Sequence, residues 1–241
     1  MRPMRSFGGG GGGGFGFPSV ESTAARLAIG LVVGSVLSLA VSSVGYLLLL
    51  TPGEVFSGLK LWQPFTYGFV ERSPLGIIFG AFLLYSIGGG LEMSWGSKRL
   101  LWVVLGGTVL AGFLTVLVSL FYPLLRGVSY PGGWVMGTIA WVAYGLSIGR
   151  GQTNFWGIPI TGNVFAGIGA GFVVLNALAG DWRGQVPDFF ALGITFLAVR
   201  GGNPRTLMLR LQHWRLQRQL RGRSRHLRVI SEDRPDDRYL N

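Results

Sequence analysis

Leu100–Leu125 reads LLWVVLGGTVLAGFLTVLVSLFYPLL, closed by Arg99 on one side and Arg126 on the other, with no charged side chain between them. An uncharged stretch of about 18 or more residues is what a hydrocarbon core of ~30 Å requires, so this segment predicts a transmembrane helix. Working outward, four more intervals pass the same test: 27–53 between Arg26 and Glu54, 73–91 between Arg72 and Glu92, 127–149 before Arg150, and 151–180 before Asp181. A sixth, Gly184–Val199, is interrupted only by Asp188 near its start. No water satisfies backbone groups inside lipid, and a closed barrel would show alternating ten-residue segments, so each interval is expected to be a helix. The expectation is an all-α, polytopic membrane protein. Six transmembrane helices occupy 27–200, a flexible Gly-rich N-terminal tail occupies 1–26, and an Arg-rich cytoplasmic tail occupies 201–241.

Composition points the same way. Of the 241 residues 49% are apolar and 13% charged, the latter roughly half the share in a soluble domain. With no Cys, a disulfide framework, a thiolate metal site and a Cys nucleophile are excluded. The unbroken Gly8–Gly14 run can bury nothing and has maximal chain entropy. The first apolar stretch is too long for a signal-peptide core and ends in Leu47–Leu50, Thr51 and Pro52 rather than a small-residue cleavage site, so it reads as a retained helix.

The net charge of +11 is concentrated rather than spread, since eleven of the nineteen Arg lie from Arg200 onward. Arg205, Arg210, Arg215, Arg218, Arg221, Arg223, Arg225 and Arg228 stand without an intervening acid. Leu207, Leu211 and Trp214 fall opposite Leu209, Leu216 and Leu220 on a helical wheel, which weakens the single apolar face of a surface helix. Attraction to anionic membrane lipids, about 1 kcal/mol per basic residue near the surface, is one reading of this tail. A topology signal is the other. No base-stacking set or recognition motif points to nucleic acid. Six spans put both termini on one side, with Arg2, Arg5, Arg26, Lys98, Arg99 and Arg150; the other side mixes Lys60, Arg72, Arg126 and Arg183 with Glu54, Glu71, Asp181 and Asp188. The excess of Lys and Arg places both termini in the cytoplasm. The outer connection Thr51–Ser73 carries Phe56, Trp62, Phe65, Tyr67 and Phe69, an aromatic character that suits either an interfacial anchor or a functional loop.

Chemistry at membrane depth is scarce. His213 and His226 lie in the tail, Lys60 and Lys98 in loops, and Glu92 and Asp188 near helix ends. The spans contain Ser, but a hydroxyl needs an adjacent base to become a nucleophile. No metal or other cofactor is expected. Asn163 and Asn176 read as hydrogen-bonding groups between helices, and Gly76/Gly80, Gly133/Gly137 and Gly162/Gly167/Gly171 as small-residue spacings that let helices approach.

Several segments, in order, resemble the rhomboid superfamily. Tyr85-Ser86-Ile87-Gly88-Gly89-Gly90-Leu91-Glu92, followed by Trp95-Gly96-Ser97-Lys98-Arg99, is similar to the end of rhomboid helix 2 and its basic loop. Trp62-Gln63-Pro64-Phe65-Thr66 resembles the Trp-Arg-x-x-Thr loop motif with Gln63 in place of Arg. Tyr130-Pro131-Gly132-Gly133-Trp134-Val135-Met136-Gly137 stands where Gly-x-Ser-Gly-x-x-x-Gly would open helix 4, and Phe190-Ala191-Leu192-Gly193 where helix 6 would carry Ala-His. The resemblance assigns structural roles to Trp62, Thr66, Glu92, Trp95, Gly96, Gly133 and Gly137. It also implies that the catalytic positions are empty: Gly76 and Gly80 replace the helix 2 His and Asn, Gly132 the nucleophilic Ser, and Phe190 or Ala191 the helix 6 His. The expectation is a rhomboid pseudoprotease, inactive-rhomboid-like or derlin-like, that binds transmembrane client proteins without cutting them. A structural subunit of a membrane complex and an unconventional intramembrane protease are the alternatives. The vacated site is expected to be closed by packing or left as a small apolar pocket.

Overall fold

The computed structural model describes residues 21–155, 157–180 and 182–201; the Gly-rich run and the eight tail Arg fall outside them. Helix α1, Thr23–Ala40, opens on Ser22, whose hydroxyl accepts the Ala25 N–H at 3.1 Å. The first uncharged interval is not one helix. Val41 adopts an extended conformation (φ −127°, ψ 100°), and the short α2, Ser42–Leu48, restarts beyond it. Gly45 is what lets α2 fold back, because a methyl there would lie 2.9 Å from Ser38 Oγ.

The connection that follows α2 is structured rather than a plain loop. It holds α3 (Pro52–Ser57), α4 (Gln63–Thr66) and a 3₁₀ turn at Tyr67–Phe69. Next, α5 (Pro74–Phe82), a π turn (Leu83–Ile87) and α6 (Gly88–Trp95) run as one continuous helix. Gly96, at φ +80°, turns the chain directly into α7, Ser97–Phe121. After a 3₁₀ turn at Pro123–Leu125, Tyr130 pairs with Leu50 through two backbone hydrogen bonds of 2.8 and 3.2 Å. Helix α8, Gly133–Ile148, is buried along Val135–Ala143 and forms the centre of the bundle. Apolar residues all round a helix belong in such a position.

The fifth interval also departs from an all-helical reading. Gly149 (φ +63°) ends α8, and Gln152–Phe155 (β1) pairs antiparallel with Ile158–Thr161 (β2), Gln152 opposite Thr161. Gly157, at φ +85°, supplies the left-handed residue between the strands. Helix α9, Gly162–Ala179, then starts on the Thr161 side-chain cap, and α10 covers Val186–Arg200.

Among the described residues, four helices are long and apolar enough to cross a membrane: α1, the continuous α5–α6 helix, α7 and α9; α8 is apolar but shorter. Their outer surfaces carry Val33, Val36, Leu37, Leu117, Phe121, Leu175 and Leu178, while Leu31, Leu91, Leu100, Met136 and Ile139 are buried. Thr108, Thr115 and Thr195 are buried too, and each donates to the carbonyl four residues earlier, so none needs a partner from another helix. Helices α8 and α9 meet where a methyl on Gly145 would sit 2.6 Å from the Gly162 carbonyl oxygen. Gly167 and Gly171 meet nothing within 4 Å, so only Gly162 of that expected triplet carries a close crossing. Asn163 accepts a hydrogen bond from Arg200 across α9 and α10.

Glu92 closes one end of the bundle. Its carboxylate accepts the Thr23 N–H at 3.0 Å, the Ala24 N–H at 2.9 Å and the Ser97 hydroxyl at 2.6 Å, tying the start of α1 to the start of α7. Arg99 does not share this task; its guanidinium lies 4.5 Å from the centre of the Trp95 ring. Carboxylates at helix N-termini are favoured by the exposed N–H groups and the helix dipole. Glu92→Ala is expected to cost about 1–3 kcal/mol in detergent unfolding, the range for stranding hydrogen-bond partners. Arg99→Ala should cost less than about 1 kcal/mol, as suits an exposed cation over a ring.

Candidate functional site

The residues resembling a catalytic centre converge on the N-terminus of α8. A helix start presents free N–H groups and partial positive charge, which is why it suits an anion or a developing oxyanion. Here those groups are already engaged. The Gly132 N–H donates to the carbonyls of Tyr67 (2.9 Å) and Val70 (3.1 Å), the Gly133 N–H to Val70 (3.1 Å), and the Trp134 N–H to Glu71 Oε2 at 3.1 Å.

Glu71 therefore does at this end of the bundle what Glu92 does at the other. Its second carboxylate oxygen accepts the Arg72 N–H at 2.9 Å and the Ser73 N–H at 3.3 Å, and its own N–H donates to Ser35 Oγ of α1 at 2.9 Å. Ser73 in turn caps α5, accepting the Gly76 N–H at 2.8 Å ahead of Pro74 at the first helical position. Gly76 makes room for this: a methyl there would lie 2.7 Å from both Glu71 Cγ and Ser73 Oγ. Any larger side chain would have to displace the carboxylate.

Gly132 is covered by a tyrosine. A methyl on it would lie 2.4 Å from Tyr67 Cδ2, and one on Gly112 of α7 would lie 2.8 Å from Tyr67 Cε1. Tyr67 is fully buried in that slot, and its hydroxyl donates to the Thr108 carbonyl at 2.5 Å. Gly80 abuts Leu31, and Gly137 lies against Leu83 and Gly80. On α10, Ala191 is fully buried and Phe190 packs partly buried against the same core.

Packing closes positions 76, 80 and 132, while the space beside them stays open and is partly polar. A cavity of about 450 Å³ is lined by Glu71, Ser73, Trp134, Asn176, Gln185 and Asp188 together with apolar walls. Asp188 stands in the first turn of α10, the helix end expected of it, and is 4% exposed. Its Oδ1 atom, Gln185 Oε1 and Trp134 Nε1 are buried without a hydrogen-bond partner among the described residues. Sequence reasoning missed Glu71 and Asp188 as buried groups. The available signal was Glu71 standing just before the Ser73–Pro74 helix start; nothing in the sequence announced the Trp134 amide as its partner.

The loop between α2 and α5 uses its motif as a clamp. Gln63 is fully buried: Oε1 accepts the Thr51 N–H at 3.0 Å, and Nε2 donates at 3.4 Å to the Tyr46 carbonyl and to Glu54 Oε2. Trp62 Nε1 donates to the Leu47 carbonyl at 2.9 Å and Thr66 Oγ1 to the Leu48 carbonyl at 3.0 Å, so the motif holds the end of α2. Lys60 forms an ion pair with Glu54 at 2.5 Å, and its hydrogen bond holds the Glu54 carboxyl below the usual range.

Residues 25–149, the stretch from α1 to the end of α8, match the model of a family described as eukaryotic integral membrane protein (DUF1751). The chain belongs to this family. It is accordingly an integral membrane protein, in keeping with its long apolar helices. The matched stretch contains Glu71, Glu92 and Gly132 but ends before Asp188. No curated protein matches the chain.

Gly132→Ala should destabilise the protein by about 1–3 kcal/mol, the usual cost of overpacking. In a Tyr67→Ala background the same substitution should cost much less, because the ring it strikes is gone. Equal costs in the two backgrounds, measured by thermal unfolding, would show that Tyr67 does not close this position.

Proposed function

We propose that this chain is a non-catalytic rhomboid-like membrane protein, with six spans and both termini cytoplasmic, that holds transmembrane segments of client proteins without cutting them. The observation that carries the reading is the filled N-terminus of α8. An intramembrane serine hydrolase needs a hydroxyl and unoccupied donors at this place. Position 132 is instead a glycine under Tyr67, and the N–H groups of 132, 133 and 134 already donate within the protein.

Span number is supported by the six uncharged intervals and by α8 and α10 lying alongside the longer helices. At 16 and 15 residues these two reach only about 24 Å and 22 Å at 1.5 Å per residue. Helices shorter than the hydrocarbon core are accommodated by local thinning of the bilayer, which would ease entry of a client helix.

A second reading comes from Glu71 and Asp188 sharing one cavity, since two carboxyl groups in different surroundings can divide acid and base roles. It is the weaker one: both Glu71 oxygens are committed to backbone N–H groups.

Purified protein in liposomes, given transmembrane substrates and a fluorophosphonate probe, should neither cleave nor become labelled, while a client helix cross-links to probes at Phe79 or Phe172. Labelling of a membrane Ser would overturn the reading. Cleavage abolished by Asp188→Asn would transfer it to the carboxylate mechanism. Recovery from cells of one stoichiometric partner, in place of varied clients, would make the protein a structural subunit.

A further inference from the structure

The cavity beside α8 has a chemical bias that client holding does not require. Asp188 Oδ1 and Gln185 Oε1 are hydrogen-bond acceptors, and Trp134 Nε1 a donor, left buried without partners among the described residues, and none of the described residues lining the cavity is basic. Buried polar groups in proteins are normally paired, and an unpaired one is costly in a low-dielectric setting. Glu71 lines the same cavity, yet it cannot rotate to help, because three backbone N–H groups hold it in place. Two free acceptors beside a fixed charge call for a cation that carries its own donors.

The kind of cation follows from the remaining walls. A hard metal ion seeks six or more oxygen ligands, whereas the Glu71 oxygens are already spent on amides. The aromatic walls contributed by Phe79, Trp134 and Phe172 suit an ammonium or guanidinium group. Leu75, Phe79 and Phe172 are 68%, 48% and 44% exposed, so they offer an apolar approach along which a methylene stem can lie. A zwitterionic lipid would bring its phosphate toward the Glu71 carboxylate, a repulsion that a basic side chain escapes.

We propose that this cavity recognises the Lys or Arg side chain of a client transmembrane helix, near that helix's outer end, with Asp188 and Gln185 accepting its hydrogen bonds and Glu71 supplying a fixed opposing charge. The inference rests on the client-holding reading and adds selectivity to it. It makes the polar residues of the former catalytic region a recognition element for positive charge.

The test uses full-length protein in phosphatidylcholine nanodiscs and three synthetic single-span helices, identical except for Lys, Leu or Glu one turn inside the outer end. The Lys helix should bind about tenfold tighter than the Leu helix, with the Glu helix weakest. Asp188→Asn should bring the Lys helix to the level of the Leu helix, with far-UV circular dichroism and thermal unfolding of the variant in nanodiscs reporting that it is folded. Gln185→Leu, at the half-buried acceptor, should reduce the preference about threefold and serves should Asp188→Asn not fold. Equal binding of Lys and Leu helices to the wild type would overturn the charge selectivity and leave client holding intact; no binding of any helix would overturn both. A preference unchanged in both variants would overturn the assignment to this cavity. A Lys preference that vanishes when phosphatidylethanolamine is included would mean that a lipid amine fills the site, and would overturn the assignment to a client helix.

Discussion

The arrangement of this membrane domain depends on one buried carboxylate. Glu71 accepts N–H groups from Arg72, Ser73 and Trp134 and donates its own amide to Ser35, so a single residue joins the loop before α5, the start of α5, the start of α8 and the middle of α1. A helix beginning inside a bilayer exposes amides that lipid cannot satisfy. The carboxylate satisfies one at α8 and stabilises the helix dipole, which allows α8 to begin deep within the bundle as a short, fully surrounded helix. Glu92 applies the same chemistry at the opposite end, on the starts of α1 and α7.

The site's character follows from that constraint. Once an anion occupies the α8 N-terminus, an oxyanion formed there would meet a carboxylate instead of free donors. Room for Glu71 comes from Gly76, and room for Tyr67 from Gly112 and Gly132, so these glycines are fitted to their neighbours rather than merely vacant. The cavity beyond them retains polarity because Asp188, Gln185 and Trp134 approach from helices α8 and α10 and the turn before α10 without bonding to one another.

Much of the architecture was legible in the sequence because charge spacing reports membrane residence directly. Arg99, in the first turn of α7, and Arg126, just past the turn that follows it, flank its apolar length, and Pro74 marks the start of α5. What escaped was local. Uncharged residues need not be helical, so the break at Val41 and the hairpin at 152–161 lay hidden inside intervals that looked continuous. In the site, the glycines at 76, 80 and 132 were readable as missing side chains, but what filled their places was not: Tyr67 and Glu71 arrive from a loop whose path no periodicity describes. Asp188 is the helix-end residue that the sequence indicates, but a position near a helix start does not report burial, and its depth was not readable.

Amide hydrogen exchange on the protein in nanodiscs, wild type against Glu71→Ala, tests the organising role of this carboxylate most directly. If Glu71 anchors both helix starts, exchange at Arg72, Ser73 and Trp134 should accelerate together in the variant, while the α7 amides and the Glu92 end at Thr23 and Ala24 keep their protection. Unchanged protection at Trp134, or a uniform loss across the whole bundle, would contradict the account.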